Sequence, residues 1–458
     1  MSRLNPWLEE KLKGVRLNPG KIKVILEVDP KYFNEALATL KAMNIPIRST
    51  SFNMFIAVEV PEETLWELER LPFVKQIHYD MPKYIKSFPA LLPIPPTRLT
   101  FTDLLLGEIR VSEVEVPGIP PPVPVVPYGF PVPTPKKSDV EIIPNSETKK
   151  IIVDSTSLTG KGVKVAVIDT GATPFHPQLA LKLVELYTVA PEPPLDMMGH
   201  GQWCTTQIGG LAFNTRFGRV EGIAPESKLM HIKALWTPLG VGSSSGILKA
   251  MEIAMNRGAK VVSMSLGGEL QGRVDDDPEC KAVRMMKEKG IIVVVAGGNE
   301  GTQGMWTIDS PGACTDALTV GAYSVLFDEV ADFSSRGWNG KWYKDHPSDW
   351  SEDHRKYGDL IEKPDVVACG GGHLNKTPTE VIYSGVTGWF DGYYDYLSDG
   401  FEGMRGTSMA TPHTAGLVAL LAEAVPNITV DDIKNVMRRQ KEKDYISGWG
   451  MIKLSLFK

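Results

Sequence analysis

Two hydrophobic periods alternate along residues 22–80. Apolar and β-branched runs are typical of strands, and Phe33, Leu37 and Leu40 follow at the spacing that puts side chains on one helical face. The elements predicted in order are Ile22–Val28 (strand), Pro30–Met43 (helix), Ile47–Ser51 and Met54–Val60 (strands), Pro61–Leu71 (helix) and Phe73–Tyr79 (strand). This βαββαβ order predicts a small α+β domain of the ferredoxin-like type, which by itself indicates no function.

The pattern changes from about residue 146 onward. Continuous apolar runs, typical of parallel strands buried on both faces, occur at Val163–Ile168, Lys228–Ala234, Val261–Ser265, Ile291–Ala296 and Ala317–Val320. Helical patterns lie between them, as at Gly246–Arg257 and Asp277–Lys289. This alternation predicts an α/β domain with a doubly wound parallel sheet, whose ligand sites lie beyond the carboxyl ends of the strands.

Between these regions the composition is dominated by proline. Fourteen of the 35 prolines fall between residues 89 and 144, so this segment favours stiff, extended polyproline II structure. It reads equally as a free linker or as an arm packed on the next domain. The predicted organisation is therefore an extension (1–20), a small domain (21–87), a Pro-rich linker or arm (88–145) and an α/β domain (146–458).

Charge and composition exclude some classes of protein. The 49 basic and 55 acidic residues give a formal charge of −6, which argues against a dedicated nucleic-acid binder. No apolar run is long enough to span a membrane, and no secretory signal is visible at the N-terminus, so the compartment stays unassigned. The four cysteines, at 204, 280, 314 and 369, form no CxxC pair, and we expect reduced or buried thiols rather than a disulfide framework.

Three separate motifs supply an acid, an imidazole and a hydroxyl. Asp169 follows an apolar run and begins the sequence Asp-Thr-Gly. His200 lies between glycines, and Ser408 precedes an apolar helical stretch. A serine hydroxyl is hardly ionised at neutral pH, so it attacks only when a base such as His200 takes its proton. A buried Asp169 would orient the imidazole and stabilise its charged form.

An oxyanion site is predicted next to this group. Ser408 stands at a helix N-terminus, where backbone N–H groups point outward, and Asn299 follows the apolar run 291–296 with a side-chain amide. Each motif alone is more often a turn or a helix cap, but together they predict nucleophilic catalysis by Ser408.

The motifs as a set resemble those of subtilisin-like serine proteases. The matching segments are Asp169–Gly171, His200–Gly201, Ser263–Gly268, Ala296–Asn299, Phe333–Gly337, Lys363–Ala368, Gly406–Gly416 and Gly448–Gly450. The resemblance implies that Asp169, His200 and Ser408 form a catalytic triad with Asn299 as oxyanion donor. It further implies that Ser265, Leu266 and Gly267 pair with extended substrate, and that Ala296, Gly297 and Gly298 wall a pocket that permits a bulky apolar side chain.

The same resemblance extends to residues 21–87, which are similar to the family's propeptide. Such a domain acts as an intramolecular chaperone for a slowly folding parallel sheet and as an inhibitor of the cleft. The expected function is a serine endopeptidase made as a self-processing zymogen, which hydrolyses polypeptide substrates through an acyl-enzyme on Ser408. The chemistry needs no cofactor, and structural calcium is left open.

Two other functions remain open. One is a catalytically silent, peptide-binding protein of the same fold, and the other is a related acid-type serine peptidase that uses Glu as base. An imidazole base loses activity below about pH 6–7, whereas the acid type works best well below that, so a pH profile separates the two enzymes.

Departures from the family pattern are local. Gln202, Trp203 and Cys204 follow His200, and Cys204 matches the cysteine-containing branch similar to proteinase K and thermitase. A buried thiol fits Cys204 better than a metal ligand paired with His200. Insertions are expected near 338–361 and 372–402, as surface loops, as a lid or as a calcium site; the calcium candidates are Asp391, Asp395, Asp399 and Glu402.

Overall fold

The computed structural model describes residues 3–14, 21–87 and 139–458, apart from Pro238, Asn339 and Tyr396. Most of the predicted Pro-rich linker or arm therefore lies outside the described residues. Within them, no helix is both long and apolar enough to cross a membrane.

The N-terminal domain confirms the ferredoxin-like topology. Its elements are α1 (Pro6–Gly14), β1 (Lys21–Val28), α2 (Phe33–Ala42), β2 (Ile47–Ser51), β3 (Phe55–Pro61), α3 (Glu62–Glu69) and β4 (Val74–Tyr79), followed by a short strand, β5 (Pro82–Ile85). The four strands form an antiparallel sheet in the order β2-β3-β1-β4. One face of this sheet packs on α2 and α3 around Leu26, Ile56 and Leu65.

The second domain contains the remaining elements. In chain order they are β6 (Val140–Pro144), α4 (Asn145–Ile152), β7 (Lys164–Asp169), β8 (Leu183–Thr188), α5 (His200–Gly209), β9 (Phe213–Thr215), β10 (Gly218–Val220), β11 (Lys228–Lys233), β12 (Val241–Ser243), α6 (Ser244–Asn256), β13 (Val261–Met264), β14 (Leu266–Gly267), α7 (Pro278–Glu288), β15 (Ile292–Ala296), β16 (Leu318–Ser324), β17 (Glu329–Val330), β18 (Gly337–Trp338), α8 (Gly340–Asp345), α9 (Pro347–Tyr357), β19 (Glu362–Lys363), β20 (Val366–Cys369), β21 (Thr379–Gly385), β22 (Phe401–Met404), α10 (Thr407–Ala424) and α11 (Val430–Arg438).

The main sheet confirms the doubly wound α/β prediction. Its parallel strands run in the order β8-β11-β7-β13-β15-β16-β20, and β17 adds a short antiparallel edge. Alternate residues of each central strand enter different cores: Val165 and Val167 face α5 and α10, whereas Ala166 and Ile168 face α6 and α7. The sequence pattern missed β8, because this edge strand is only half buried and has no continuous apolar run.

The N-terminal domain docks on α6 and α7. Phe52, Phe55 and Ala57 join the core on that side of the main sheet. Asp80 reaches the start of α6, where its carboxylate accepts hydrogen bonds from the Ser245 backbone N–H (2.8 Å) and hydroxyl (2.7 Å). A carboxylate is favoured there by the free N–H groups and the helix dipole. This docking sets the path of the chain from β4 into β5.

The two predicted insertions fold as parts of the second domain. Residues 338–361 contribute α8 and α9, and the rings of Trp338 and Trp350 pack at a tilt with their centroids 5.0 Å apart. Residues 372–402 contribute β21 and β22 to a sheet with β6, a strand that begins before the predicted domain boundary at residue 146.

The cysteine prediction was wrong for two of the four residues. Cys280 in α7 and Cys314 form a disulfide, with Cα atoms 5.0 Å apart and a sequence separation of 34. The pairing depends on a tertiary contact that no local spacing reveals. Cys204 and Cys369 are buried free thiols.

Candidate active site

Asp169 and His200 meet at the carboxyl end of the main sheet. Asp169 is the last residue of β7, and His200 is the first residue of α5. His200 Nδ1 lies 2.7 Å from Asp169 Oδ1, and both side chains are fully buried. The same carboxylate oxygen accepts the Thr170 N–H at 2.7 Å. This contact fixes the ring and stabilises a proton on Nδ1, which leaves Nε2 as the basic nitrogen.

A second buried acid holds the turn that leads into His200. Asp196 accepts hydrogen bonds from the backbone N–H groups of Met198, Gly199 and Gln202 at 2.7–2.9 Å. Burial raises the pKa of Asp196, while these N–H groups oppose the increase. The carboxylate therefore acts as a cap at the start of α5, even though the residue just before that helix is glycine.

His231 forms a neutral support beside the pair. Its Nε2 accepts the Gly171 N–H at 3.0 Å, so its Nδ1 carries the proton and contacts Thr205 Oγ1 at 2.9 Å. Burial lowers the pKa of His231 to about 3. If the ring were protonated, its Nε2–H would face the Gly171 N–H, and two donors would meet without an acceptor. This contact therefore also disfavours the charged ring and is consistent with a lowered pKa.

Ser408 is the second residue of α10 and lies against a segment of the N-terminal domain. Its backbone N–H donates to the Lys86 carbonyl at 2.9 Å, and its Oγ accepts the Lys86 N–H at 2.9 Å. Oγ also donates to the Ser265 carbonyl at 3.0 Å. Within the described residues, His200 Nε2 is buried and makes no hydrogen bond. Among the described residues His200 Nε2 is thus without a partner, while Ser408 Oγ is engaged by the Lys86 N–H and the Ser265 carbonyl.

Asn299 borders the same carbonyl group. Its side-chain oxygen accepts the Thr407 N–H and hydroxyl, both at 2.9 Å, which directs its amide nitrogen away from that residue. Gly406 lies close to both this nitrogen and the Lys86 carbonyl. A Cβ added at Gly406 would be 3.1 Å from Asn299 Nδ2 and 2.4 Å from the Lys86 carbonyl oxygen. The geometry can thus offer two donors to one oxygen, the Ser408 N–H and the Asn299 amide.

The chain segment in front of Ser408 continues β5. This strand lies between β12 and β14 and pairs antiparallel with both, with Tyr84 opposite Val241 and Gly267, and Ile85 opposite Leu266. The Lys86 N–H reaches the Ser265 carbonyl at 3.3 Å. Ser265, Leu266 and Gly267, predicted to pair with extended substrate, thus pair with the chain's own residues 84–86.

Ala296 is the last residue of β15, Gly297 and Gly298 follow it, and Gly298 lies beside the acids that hold the Lys86 side chain. Lys86 Nζ contacts Glu300 Oε1 at 2.8 Å and Asp309 Oδ2 at 2.5 Å. A Cβ at Gly298 would lie within 3 Å of both carboxylates, so the glycine leaves room for the acids. The sequence predicted a pocket that permits a bulky apolar side chain, and its occupant here is a lysine between two acids.

Electrostatics in this pocket are those of two acids sharing one cation. Burial disfavours charge on Lys86, but Asp309 and Glu300 more than compensate and raise its pKa. Burial and the charge of Glu300 raise the pKa of Asp309 to about 7, and Lys86 lowers the pKa of Glu300 despite burial.

Lys83 occupies a second acidic pocket, three residues before Lys86. Its side chain is fully buried, and its Nζ lies 3.2 Å from Glu279 Oε1 and 3.2 Å from the Ser310 carbonyl. Glu279, in α7, is also fully buried. Burial and the charge of Glu279 raise the pKa of the neighbouring Asp277 to about 7.

The residues that depart from the family pattern have structural contacts. Trp203 is fully buried, and its indole N–H donates to the Glu402 carbonyl at 3.2 Å. Gln202 Oε1 accepts the Thr173 N–H at 2.7 Å. Cys204 Sγ lies 4.0 Å from His200 Nδ1 and 3.7 Å from the Ser408 carbonyl. The first two residues thus fasten α5 to its surroundings, and Cys204 fills the space behind the catalytic groups.

The four calcium candidates bond mainly to backbone N–H groups of their own loop. Asp391 accepts from Gly400, Asp395 from Leu397, Asp399 from Phe401, and Glu402 from Tyr394 and Gly403. Burial and Asp395 raise the pKa of Glu402 to about 8. In the described part of the chain, no three of them bring ligand atoms together, whereas Asp169, His200 and Cys204 do.

Sequence reasoning missed the acids of both pockets and the lysines between them. Glu279, Glu300 and Asp309 lie in α7 and in two loops, and no periodic pattern marks them. The one available signal was the pair of lysines spaced three apart in Pro82–Lys86, directly after the predicted last strand of the small domain.

Comparison with known proteins gives consistent matches. Residues 160–450 match the sequence profile of the Subtilase family (peptidase S8). The chain is 31% identical over 322 residues to serine protease AprX of Bacillus subtilis, covering 65% of each chain. It is 37% identical over 253 residues to pyrolysin of Pyrococcus furiosus, covering 49% of this chain and 16% of that protein. The crystal structure of fervidolysin from Fervidobacterium pennivorans has a TM-score of 0.64 at 19% identity, covering 96% of this chain and 61% of that one, which shows a common fold.

Proposed function

The chain belongs to the subtilase family, and from this premise we propose that it is a serine endopeptidase made as a self-processing zymogen. Ser408 is the nucleophile, His200 the general base, and Asp169 the group that orients His200. Asn299 and the Ser408 N–H form the oxyanion site. The observation that carries this proposal is the buried contact of 2.7 Å between His200 Nδ1 and Asp169 Oδ1 at the sheet end that also holds Ser408.

The reaction follows from these positions. His200 Nε2 takes the hydroxyl proton as Ser408 Oγ attacks the carbonyl carbon, and the two donors stabilise the oxyanion. The C–N bond then breaks, the imidazolium gives its proton to the leaving amine, and an ester remains on Ser408. Water attacks this ester with His200 again as base, which releases a carboxylate and restores the serine. One water is consumed for each peptide bond, and no cofactor takes part.

The N-terminal domain serves as the inhibitor in this proposal. Residues 82–86 lie between two strands of the cleft and engage Ser408, which supports a cleft blocked by the chain itself. A peptide added as a strand gains main-chain hydrogen bonds on both sides, so the occupied cleft excludes other substrates. The catalytically silent, peptide-binding alternative predicts the same contacts. Only a test of peptide-bond hydrolysis separates it from the zymogen.

The test compares the full-length protein with its Ser408→Ala variant. Intact mass and hydrolysis of fluorescein-labelled casein are followed over time, with calcium and with a chelator in parallel to examine structural calcium. We expect the wild type to cut its own chain and gain activity, whereas the variant stays whole and inactive. If both proteins stay whole and inert under every condition, the peptide-binding alternative is correct.

A further inference from the structure

Resting on the proposed function, we propose that this protease selects a basic residue at two positions of its substrate: the residue just before the scissile bond, and the residue three positions upstream of it. We further propose that Lys86–Ser87 is the bond that the enzyme cuts in its own chain. The resident segment Lys83-Tyr84-Ile85-Lys86 is then the template for its substrates.

The register of the resident segment identifies the bond. The Lys86 carbonyl oxygen accepts the Ser408 N–H at 2.9 Å, and the Lys86 N–H points at Ser265 from the opposite side. An added Cβ at Gly406 would contact the Lys86 carbonyl oxygen and, at 2.7 Å, Ser87 Cα. The carbonyl held at the nucleophile is therefore that of Lys86, and the leaving amine is that of Ser87.

The first pocket selects for charge. Lys86 Nζ stands within 2.8 Å of both a Glu300 and an Asp309 oxygen, and the side chain is 7% exposed. Without a cation, two carboxylates would face each other in a partly dehydrated site, which is costly. A neutral side chain of the same length leaves these acids unpaired, so the pocket discriminates by the penalty on the wrong substrate as well as by attraction.

The second pocket makes the same selection more deeply in the protein. Lys83 and Glu279 are both fully buried and form an ion pair at 3.2 Å, and the Ser310 carbonyl takes a further hydrogen bond. Pairing on both flanks fixes the strand, so Lys83 and Lys86 cannot exchange pockets without moving the carbonyl away from Ser408. The spacing of the two basic residues is thus part of the selectivity.

Self-cleavage at this position follows the reaction given above. The Lys86–Ser87 C–N bond breaks, Ser87 becomes a new amino terminus, and Lys86 becomes a carboxylate after water attacks the ester. The products are expected to be a fragment ending at Lys86 and a mature enzyme beginning at Ser87, which intact mass and N-terminal sequencing identify directly.

Peptides tested on the self-processed wild type need no change to the enzyme. The probes are Lys-Tyr-Ile-Lys, Lys-Tyr-Ile-Met and Met-Tyr-Ile-Lys, each carrying a fluorogenic amine after the last residue. We expect kcat/KM for the first to exceed that for the second by about 100-fold and that for the third by about 10-fold. An enzyme that hydrolyses casein but cuts the Met peptides as fast as the first overturns the inference. An enzyme that hydrolyses nothing overturns the proposed function instead.

Variants locate the selectivity. Asp309→Asn is the cleaner change, because Glu300 also accepts the Asn299 backbone N–H at 2.7 Å. We expect it to reduce the Lys-to-Met preference at the first position at least 10-fold. Glu279→Gln should do the same at the second position only. Glu147→Gln is the control, since this acid pairs with Lys150 on the exposed face of α4.

A substitution in the resident segment tests the cut site. We expect Lys86→Met to slow self-cleavage at residue 86 by about 100-fold and Lys86→Arg to preserve it. Cleavage of the wild type at any other bond, or equal processing of the Met variant, contradicts the assignment. Lys86→Arg is the matched control, because it keeps a cation between Glu300 and Asp309.

Discussion

The two halves of the cleft are built on different principles. The proposed catalytic half, formed by Asp169, His200, Asn299 and Ser408, is held by hydrogen bonds from its own domain: Thr170, Asp196 and Thr407 fix three of its members. The recognition half, formed by Glu279, Glu300 and Asp309, pairs its charges with lysines of the other domain. The side chains of the first half are positioned without a ligand. The negative charges of the second half are neutralised only when a cation binds.

This difference fits the proposed zymogen, which must be inhibited and yet keep its catalytic groups in place. Catalytic groups that depended on the N-terminal domain for their positions would lose them on its release. Recognition acids that already had cationic partners within their own domain would gain little by binding a lysine of the substrate. Dividing the two kinds of support lets a removable segment fill the cleft without being part of the catalytic machinery.

The largest effect is expected when the support inside the catalytic half is removed. Asp169→Asn keeps the size of the side chain but presents an amide to His200 Nδ1, which favours the wrong tautomer. We expect kcat to fall by about 10⁴-fold with little change in KM for Lys-Tyr-Ile-Lys. A loss confined to KM would show that Asp169 shapes the recognition half instead, and the division would be wrong.

An acid shift should destabilise the catalytic half through His231. The unfolded ring has a pKa near 6.5, and the folded ring has one of about 3. Between these values the unfolded state binds a proton that the folded state does not, so stability falls as the pH decreases. The expected loss between pH 7 and 5 is about 2 kcal/mol from this group.

Urea unfolding of full-length Ser408→Ala at pH 7 and 5 measures this loss. His231→Gln can keep contacts to Gly171 and Thr205 but does not titrate, so it should flatten the pH dependence. His354→Gln, on an exposed helix face, is the control and should leave it unchanged. If the free energy of unfolding of His231→Gln depends on pH as strongly as that of the parent protein, other groups set the acid sensitivity.

The catalytic half was open to sequence reasoning because its groups sit in contiguous motifs at predictable places. Asp169 ends a continuous apolar strand and Ser408 begins an apolar helix, and the resemblance to subtilase motifs joined the two into one predicted site. The recognition half joins residues 214 positions apart, as between Lys86 and Glu300, and only the docking of two domains brings them together. The Cys280–Cys314 disulfide was missed for the same reason.

The smallest predicted effect concerns the docking that creates the recognition half. Asp80 holds two donors of Ser245 at the start of α6 and pairs with Arg48 at 2.8 Å, so Asp80→Asn removes a charge from the helix N-terminus and one acceptor. We expect a loss of about 1 kcal/mol, seen in full-length Ser408→Ala as a Tm lower by about 2 °C and faster amide exchange at Ser245.

Asp154→Asn is the matched control, because Asp154 forms an exposed ion pair with Lys458, far from this junction in sequence. It should change neither quantity, since such surface pairs contribute little. If Asp80→Asn behaves like this control, contacts other than the Asp80 cap, such as the apolar packing of Phe52 and Phe55, set the docking of the domain. The lysines would then still neutralise the acids of the recognition half, but the Asp80 cap on α6 would not be needed to place those lysines.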